Sequence, residues 1–381
     1  MSLKIAISVG EHSGDIHGSN LVKEILSLSP STNFFGMGGE NLEKCGVQID
    51  FNMKEVSVVG VSEVITKLPK IYTVFKKFSS LLKKEKPDVL ITIDFPDFNF
   101  KLIKEAKKLN IPVVYYITPQ VWAWRKGRIK FLKEKVDLAL NILPFEEPFF
   151  KEYGIKSFYV GHPLLDIEQK ILTKEEFEDI FKPEKNKIFV AMLPGSRNSE
   201  VKSHLKTLVE TAQILNTKRK DLIFITPKAN NVSKKIWNLK CPENFFLLEN
   251  LYYETLTYSD IALVASGTAS LECALNGIPS VVFYYLNPFT YFLGKKLVKL
   301  PFVSLPNIIL DREAFKELIQ KDFSAESCAL SLEEILRNLN EKKEKHLKIK
   351  SELTQKLGNK GASKRAAQKI LDVLKNINKL S

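Results

Sequence analysis

Short apolar runs alternate with longer amphipathic stretches along most of this chain. In the first half the apolar runs are Leu3–Val9, Val89–Ile93, Val113–Ile117 and Asp137–Ile142. Segments with helical spacing separate them, among them Gly18–Leu28 and Asn99–Leu109. The second half repeats the rhythm with Lys187–Leu193, Asp221–Thr226, Phe245–Leu248, Ile261–Ala265 and Ser280–Tyr284. Strands that are apolar throughout are buried on both faces, and strands separated by helices pair in parallel. The pattern predicts an α/β protein of two doubly wound, Rossmann-like domains. The linker is expected near Gly161–Lys185, placing the domains at residues 1–165 and 166–345 with a helical tail at 346–381. The tail breaks at Gly358-Asn359-Lys360-Gly361. It resumes with Ala362, Ala366, Ile370, Val373, Leu374 and Ile377 on one face. That face must dock, on the first domain or on a second subunit.

A chain of 381 residues is long enough for two cores. No apolar run reaches the ~18–20 residues of a membrane span. The first run is short and leads directly into a motif, so it does not read as a secretory signal, and folding in the cytoplasm is expected. The four cysteines (Cys45, Cys241, Cys273, Cys328) are scattered and read as reduced thiols. The formal charge of +13 is uneven: Arg337–Lys379 holds thirteen Lys or Arg against four Asp or Glu. A second cluster comprises Lys67, Lys70, Lys76, Lys77, Lys83, Lys84 and Lys86. Basic surfaces attract nucleic acid, anionic lipid or phosphorylated substrates, although solvated helix faces explain any single lysine. Val61, Val64, Ile65, Leu68, Ile71, Tyr72 and Phe75 have helical spacing, interrupted at Pro69, with lysines between. A core-facing helix is the default reading; a patch lying on an anionic membrane is the sharper one.

Candidate chemistry lies in the loops that follow strands. Pro194-Gly195-Ser196-Arg197 and Ala265-Ser266-Gly267-Thr268 each join an apolar strand to a helix through glycine. Such turns offer backbone N–H groups to anions, and Arg197 adds a guanidinium fork for phosphate. Glu272, one turn further on, is placed to accept from a ribose hydroxyl, or is simply an acid near the helix start. Together the loops suggest one site for a nucleoside diphosphate. Asn307, in Ser304-Leu305-Pro306-Asn307, is a phosphate or sugar ligand or a turn amide. In the first half, Gly10-Glu11-His12-Ser13-Gly14-Asp15-Ile16-His17-Gly18 follows the first strand, where open α/β sheets bind ligands. Glu11, Asp15 and His17 are candidate acids, bases or sugar partners. Locally the same residues read as a helix start capped by Ser13, which leaves the glycine density unexplained. Asp94, in Asp94-Phe95-Pro96-Asp97, ends a buried strand and would face a cleft between the domains as a general base, whereas Asp97 reads as a helix cap. Trp122 and Trp124 suit sugar rings or acyl chains, or domain packing. His162 reads as a structural hinge residue. No metal pair is evident, since Asp94 and Asp97 are too widely spaced and split by proline.

Taken in order, these motifs closely resemble the lipid-A-disaccharide synthase family, inverting glycosyltransferases of the two-Rossmann GT-B fold. The resemblance covers nearly the whole chain, through GEHSGD, VVGVSEV, IDFPDFN, TPQVWAWR, LPFE, VGHPLLD, LPGSR, ASGTASLE, NPFTY and SLPN. The family usually has Ala where His12 stands. The resemblance implies a UDP-2,3-diacylglucosamine donor and a 2,3-diacylglucosamine 1-phosphate (lipid X) acceptor. The implied products are the β-1,6-linked disaccharide 1-phosphate and UDP, with no metal or other cofactor and no nucleic acid. The family's essential Asp and Arg fall on Asp94 and Arg197. Its UDP segment falls on Gly195, Ser196, Ser266, Gly267, Thr268 and Glu272, and its SLPN asparagine on Asn307. Glu11, Ser13, Gly14, Asp15 and Trp122 are then expected on the acceptor or sugar side. Val64, Ile65, Leu68, Ile71 and Tyr72 correspond to the apolar patch by which the family rests on the inner face of the cytoplasmic membrane. A homodimer with an exchanged C-terminal helix is also implied. Asp94 would take the acceptor 6-hydroxyl proton while Arg197 and the loop amides hold the departing UDP, with domain closure excluding water.

Two rivals stand beside this reading. One is another UDP-sugar GT-B enzyme, such as a UDP-sugar 2-epimerase or a peptidoglycan-type glucosaminyltransferase. The other is a non-catalytic module that uses its basic tail on RNA or anionic lipid. Against the latter, aromatics do not interleave the tail's lysines as a stacking platform would.

Overall fold

The computed structural model describes residues 2–56, 61–123, 127–167, 170–182, 187–286 and 301–378, the side chains of 61–67 and 376–378 excepted. The chain divides into two compact units, Met1–Ile167 with Leu357–Ser381, and Glu168–Lys356.

The first unit is built on seven parallel strands: β1 (Lys4–Val9), β2 (Asn33–Gly38), β3 (Gln48–Asn52), β4 (Val89–Ile93), β5 (Val113–Tyr116), β6 (Leu138–Asn141) and β7 (Ser157–Tyr159). Their order is β3-β2-β1-β4-β5-β6-β7. The helices are α1 (His12–Leu28), α2 (Glu40–Lys44), α3 (Val61–Glu85), α4 (Pro96–Lys108), α5 (Arg128–Lys135) and α6 (Glu146–Glu152). The unbroken apolar runs are explained by the two layers of helices. Ile5, Ile7 and Val9 pack with Leu21, Val22 and Ile25 of α1, whereas the intervening Ala6 packs with Phe78 of α3 and Leu102 of α4. Alternate residues of one strand thus serve opposite cores.

Helix α1 begins at His12, earlier than the apolar spacing indicates, and contains Gly14 and Gly18. Their use is steric: a Cβ on Gly14 would lie 2.9 Å from Cγ1 of Val9. The glycines let the helix lie directly on the strand end, which outweighs their low helix propensity. Helix α3 runs through Pro69 instead of stopping there. Its buried face is Val74, Phe78 and Leu82; Leu68 and Tyr72 are 50% and 56% exposed.

The second unit repeats the plan with β8 (Ile188–Leu193), β9 (Leu222–Lys228), β10 (Phe245–Glu249), β11 (Ile261–Ala265), β12 (Ser280–Tyr284) and β13 (Lys316–Ile319). All are parallel, in the order β10-β9-β8-β11-β12-β13. Its helices include α7 (Lys174–Asp179), α8 (Asn198–Lys218), α9 (Tyr252–Tyr258) and α10 (Thr268–Asn276).

The tail is shared between the units. The long helix Leu339–Leu357 is tied to the second unit by a bidentate pair from Arg312 to Glu352, at 2.7 and 2.6 Å. The closing helix, Ala362–Asn378, returns to the first unit. It packs Ala366, Ala367, Ile370 and Leu374 into the same core as α1. Asp166 caps it, accepting from the backbone N–H of Gly361 at 2.6 Å and Ser363 at 3.0 Å. Arg365 Nε donates to the Val160 carbonyl at 2.7 Å. The Val160–Asp166 motif therefore receives the chain's last helix.

Candidate functional site

In both sheets the chain order reverses between two central strands, β1 and β4 in one unit and β8 and β11 in the other. Loops leaving the carboxyl ends at such a reversal diverge to opposite faces and open a crevice. The four motif loops stand at these places: Gly10–Asp15 after β1, Asp94–Asp97 after β4, Pro194–Arg197 after β8 and Ser266–Glu272 after β11.

In the first unit Val9 lies beside Ile93 in the ladder, so Gly10 and Asp94 leave adjacent strands together. Asp94 and Phe95 are consecutive non-glycine residues in the left-handed region, at φ +46° and +49°. Such a turn costs energy and is held by its surroundings. The buried amide of Asn99 donates to the Asp94 carbonyl at 2.7 Å, and the Tyr115 hydroxyl donates to the same oxygen at 2.8 Å. Ser8 fixes Asn99 from β1, its hydroxyl donating to Oδ1 at 2.7 Å. The Phe95 ring covers Gly10, where a Cβ would lie 2.2 Å away, and stacks on Phe98. The elbow holds Asp94 half-buried at the strand end.

Several local expectations change here. The N-cap of α1 is Glu11, with no side-chain cap bond; Ser13 lies inside the first turn and is exposed. The N-cap of α4 is Phe95, and Asp97 pairs with Arg128 at the start of α5. A left-handed residue already redirects the chain into α4, so no capping carboxylate is needed. Asp15 is buried and braces the start of α2, accepting from Gly39 N at 2.7 Å, Asn41 N at 3.0 Å and Asn41 Nδ2 at 2.9 Å. Trp122 is half-buried, edge-on to Phe145 at 4.7 Å, and its indole N–H donates to Glu146 at 2.9 Å. Burial pushes the Glu146 carboxyl up to about 7, against the bonds from Trp122 and the Leu143 and Ile142 amides. Trp124 lies outside the described residues, as do the side chains of Val64 and Ile65 and the whole of Asn287–Tyr291.

In the second unit the loop after β8 wraps a carboxylate. Glu200 accepts from Ser196 N at 3.0 Å, Arg197 N at 3.2 Å and Arg197 Nη1 at 3.1 Å. His204, buried behind it, bonds the carbonyls of Pro194 and Tyr285 at 2.7 and 3.1 Å. After β11, Gly267 takes φ +143° and leaves α10 without a side-chain cap, with Thr268 exposed at its first position. Ser266 Oγ donates to the Val303 carbonyl at 2.9 Å, tying this loop to the next. Glu272 accepts from the Tyr252 hydroxyl at 2.6 Å, and desolvation pushes its carboxyl up to about 7.

Asn307 has the role of a turn amide. Its Nδ2 donates to the Phe315 carbonyl at 2.7 Å and Glu317 at 2.8 Å, and its Oδ1 accepts from Ala314 N and Phe315 N, both at 2.9 Å. These bonds use its full side-chain capacity. Glu317 also accepts from Val303 N and Ser304 N, at 2.9 and 3.0 Å. Asn307 therefore shapes the loop beside Ser266 from within.

Tyr115, Glu200, Tyr252 and Glu317 escaped the motif reading, whereas Asn99 stood within the IDFPDFN motif without its hold on Asp94 being read. Only Glu200 carried a local signal, the i, i+3 spacing of a capping box from Arg197. Tyr115, Tyr252 and Glu317 reach partners ten or more residues away in sequence.

Two doubly wound α/β units, each with its motif loops at the strand reversal, define a protein of GT-B-like fold. Solved structures agree on the fold. UDP-GlcNAc 2-epimerase from Neisseria meningitidis bound to UDP-GlcNAc matches at TM-score 0.69 and 16% identity, covering 98% of this chain and 100% of that one. Acinetobacter baumannii MurG matches at TM-score 0.57 and 12% identity, over 98% and 100%. The amino-acid sequence decides between such relatives. Residues 5–373 match the family model described as lipid-A-disaccharide synthetase. Lipid-A-disaccharide synthases of Persephonella marina and Syntrophus aciditrophicus are 41% and 38% identical to this chain. Both alignments span 97% of this chain, with 99% and 98% of the relatives covered. The chain belongs to the lipid-A-disaccharide synthase family, glycosyltransferases of lipid A disaccharide synthesis. Among the described residues no helix is long and apolar enough to cross a membrane.

Proposed function

We propose that this enzyme transfers the diacylglucosamine of UDP-2,3-diacylglucosamine to the 6-hydroxyl of 2,3-diacylglucosamine 1-phosphate by direct displacement. Asp94 is the general base. It removes the hydroxyl proton as that oxygen attacks the anomeric carbon, giving inversion and a β-1,6 linkage. The observation that carries this assignment is the strained left-handed turn at Asp94, held by Asn99 and Tyr115. Strain maintained by a dedicated network at a strand reversal marks a functional position. Glu11 at the N-cap of α1, exposed Ser13 in its first turn and half-buried Trp122 after β5 suit sugar or acceptor contacts. Gly14 and Asp15 support this region by close packing and by bracing α2.

The second unit holds the donor. Backbone N–H groups of the Gly195-Ser196-Arg197 turn and the Arg197 guanidinium stabilise the charge that grows on the departing diphosphate. The Ser266-Gly267-Thr268 turn and Glu272 take the rest of UDP, with Glu272 on the ribose and Asn307 fixing the adjoining loop.

We further assign the enzyme to the inner face of the cytoplasmic membrane as a peripheral protein. Exposed Leu68 and Tyr72 on α3, with Lys70, Lys76 and Lys77 beside them and Ile71 packed inward, suit an anionic surface. Val64 and Ile65 belong to the same helix. The apolar face of the closing helix equally suits exchange between two copies, a homodimer that molecular-mass measurement would detect.

Incubation with both lipid sugars, followed by chromatography, tests the reaction. Stoichiometric disaccharide 1-phosphate and UDP are expected. Epimerised UDP-sugar without disaccharide would refute it.

A further inference from the structure

The turn after β8 already holds an anion that belongs to the protein. Glu200, in the first turn of α8, folds its carboxylate back over the loop. Oε2 accepts from the N–H groups of Ser196 and Arg197 at 3.0 and 3.2 Å, and Oε1 from Arg197 Nη1 at 3.1 Å. The loop closes tightly on it: Gly195 has φ +106°, and a Cβ there would lie 2.5 Å from Oε2. Tyr284, at the end of β12, feels the charges of both Glu200 and Arg197. These are the donors a phosphate oxygen would seek. A carboxylate and a phosphate drawn to the same N–H groups repel each other. The Glu200 and Arg197 side chains are 28% and 55% exposed, so the carboxylate can rotate into water without a large desolvation change.

We propose that Glu200 is an internal competitor for the diphosphate of UDP. It occupies the loop before nucleotide arrives, yields as the diphosphate binds, and returns as UDP departs. The proposal rests on the reading that this loop receives the diphosphate. It gives the enzyme a reason to release a highly charged product at each turnover. An ordinary capping box accounts for one backbone bond, to the N-cap residue. Glu200 additionally takes the Ser196 N–H and the guanidinium, which a cap alone does not require.

Calorimetric titration of the full chain with UDP and with uridine tests this, using the wild type, Glu200→Gln and Arg197→Ala. Glutamine keeps the volume and removes the charge. Glu200→Gln should bind UDP about fivefold more tightly, the scale of one net hydrogen bond, with uridine unchanged. UDP release, followed by stopped flow, should slow in proportion. Arg197→Ala should bind UDP more weakly. If Arg197→Ala weakens UDP while Glu200→Gln leaves it equal or weaker, the competitor role is overturned and the loop assignment survives. If neither substitution alters UDP affinity, the loop is not the diphosphate site and both ideas fall. Should Glu200→Gln fail to fold, a wild-type structure with UDP decides. A carboxylate out of hydrogen-bond reach of Ser196 N supports the proposal, and one still seated there overturns it.

Discussion

The side-chain amide of Asn99 donates to the backbone carbonyl of Asp94 at 2.7 Å, clasping a left-handed turn from the helix that follows it. Asn99 is wholly buried, and its other end accepts from Ser8. Asn99→Ala should therefore strand the Ser8 hydroxyl and loosen the elbow. A stability loss of about 2 kcal/mol is expected in urea unfolding. Turnover should fall by roughly tenfold or more as Asp94, the proposed base, loses its aim, with UDP affinity unchanged. Full turnover in a folded Asn99→Ala protein would separate the strain from catalysis.

Two buried histidines should make the first unit acid-sensitive, with the buried Glu146 carboxyl opposing them. Burial lowers His17 from 6.5 to about 4 and His162 from 6.5 to about 3, with Asp166 partly opposing the effect at His17. Both folded values lie below the unfolded one. Neutral imidazole is thus favoured by folding, and stability is full above the unfolded value. As pH falls from about 6.5 toward 4, the unfolded chain binds protons that the folded one does not. The two histidines alone would give a slope approaching about 2.7 kcal/mol per pH unit, and Glu146, raised to about 7 in the folded state, takes up a proton over the same range and offsets about half of it. Going from pH 7.5 to pH 5, the urea midpoint should change less unfavourably in His17→Leu than in wild type. The same change in His17→Leu and wild type would show that His17 is hydrated in the folded state.

UDP affinity should rise with pH around neutrality. Desolvation holds Glu272 at about 7, so its charged form, the stronger acceptor for a ribose hydroxyl, predominates only above that value. Between pH 6 and pH 8 the dissociation constant should fall severalfold, and Glu272→Gln should remove that pH dependence. An unaltered pH profile in Glu272→Gln would place the ribose elsewhere.

Asp166 should anchor the end of the chain. Removing its carboxylate leaves the N–H groups of Gly361 and Ser363 without their cap. Asp166→Ala should cost about 1–2 kcal/mol and speed proteolysis after Gly358. Cleavage no faster than in the wild type would mean that the packing of Ala366 and Ile370 holds the helix alone.

The central strands and the places of the motif loops were legible because an apolar run such as Ile5–Val9 records burial on both faces. The edge strands β3, β7 and β13, and β2 beside the edge, left weaker marks: β2 carries Gly36 and Gly38, and β13 reads Lys-Glu-Leu-Ile. Local sequence also misjudged caps. Ser13 and Asp97 sit in plausible capping contexts, yet the neighbouring backbone makes the turn. Asn307 illustrates the same limit from the other side. Its neighbours in sequence suggest a ligand, whereas Phe315 and Glu317, brought close by folding, claim all of its bonds. The pairing of Glu200 with the Gly195 turn was encoded within five residues and was hidden by the expectation that the loop waits for phosphate.

The central claim is that one unit supplies the base and the other grips the nucleotide. It is tested most directly by measuring UDP affinity and disaccharide formation on one preparation of Asp94→Asn. The account predicts UDP binding within about twofold of wild type and turnover lower by a factor on the order of 10²–10⁴. Near-normal turnover, or loss of UDP binding in a folded protein, would contradict it.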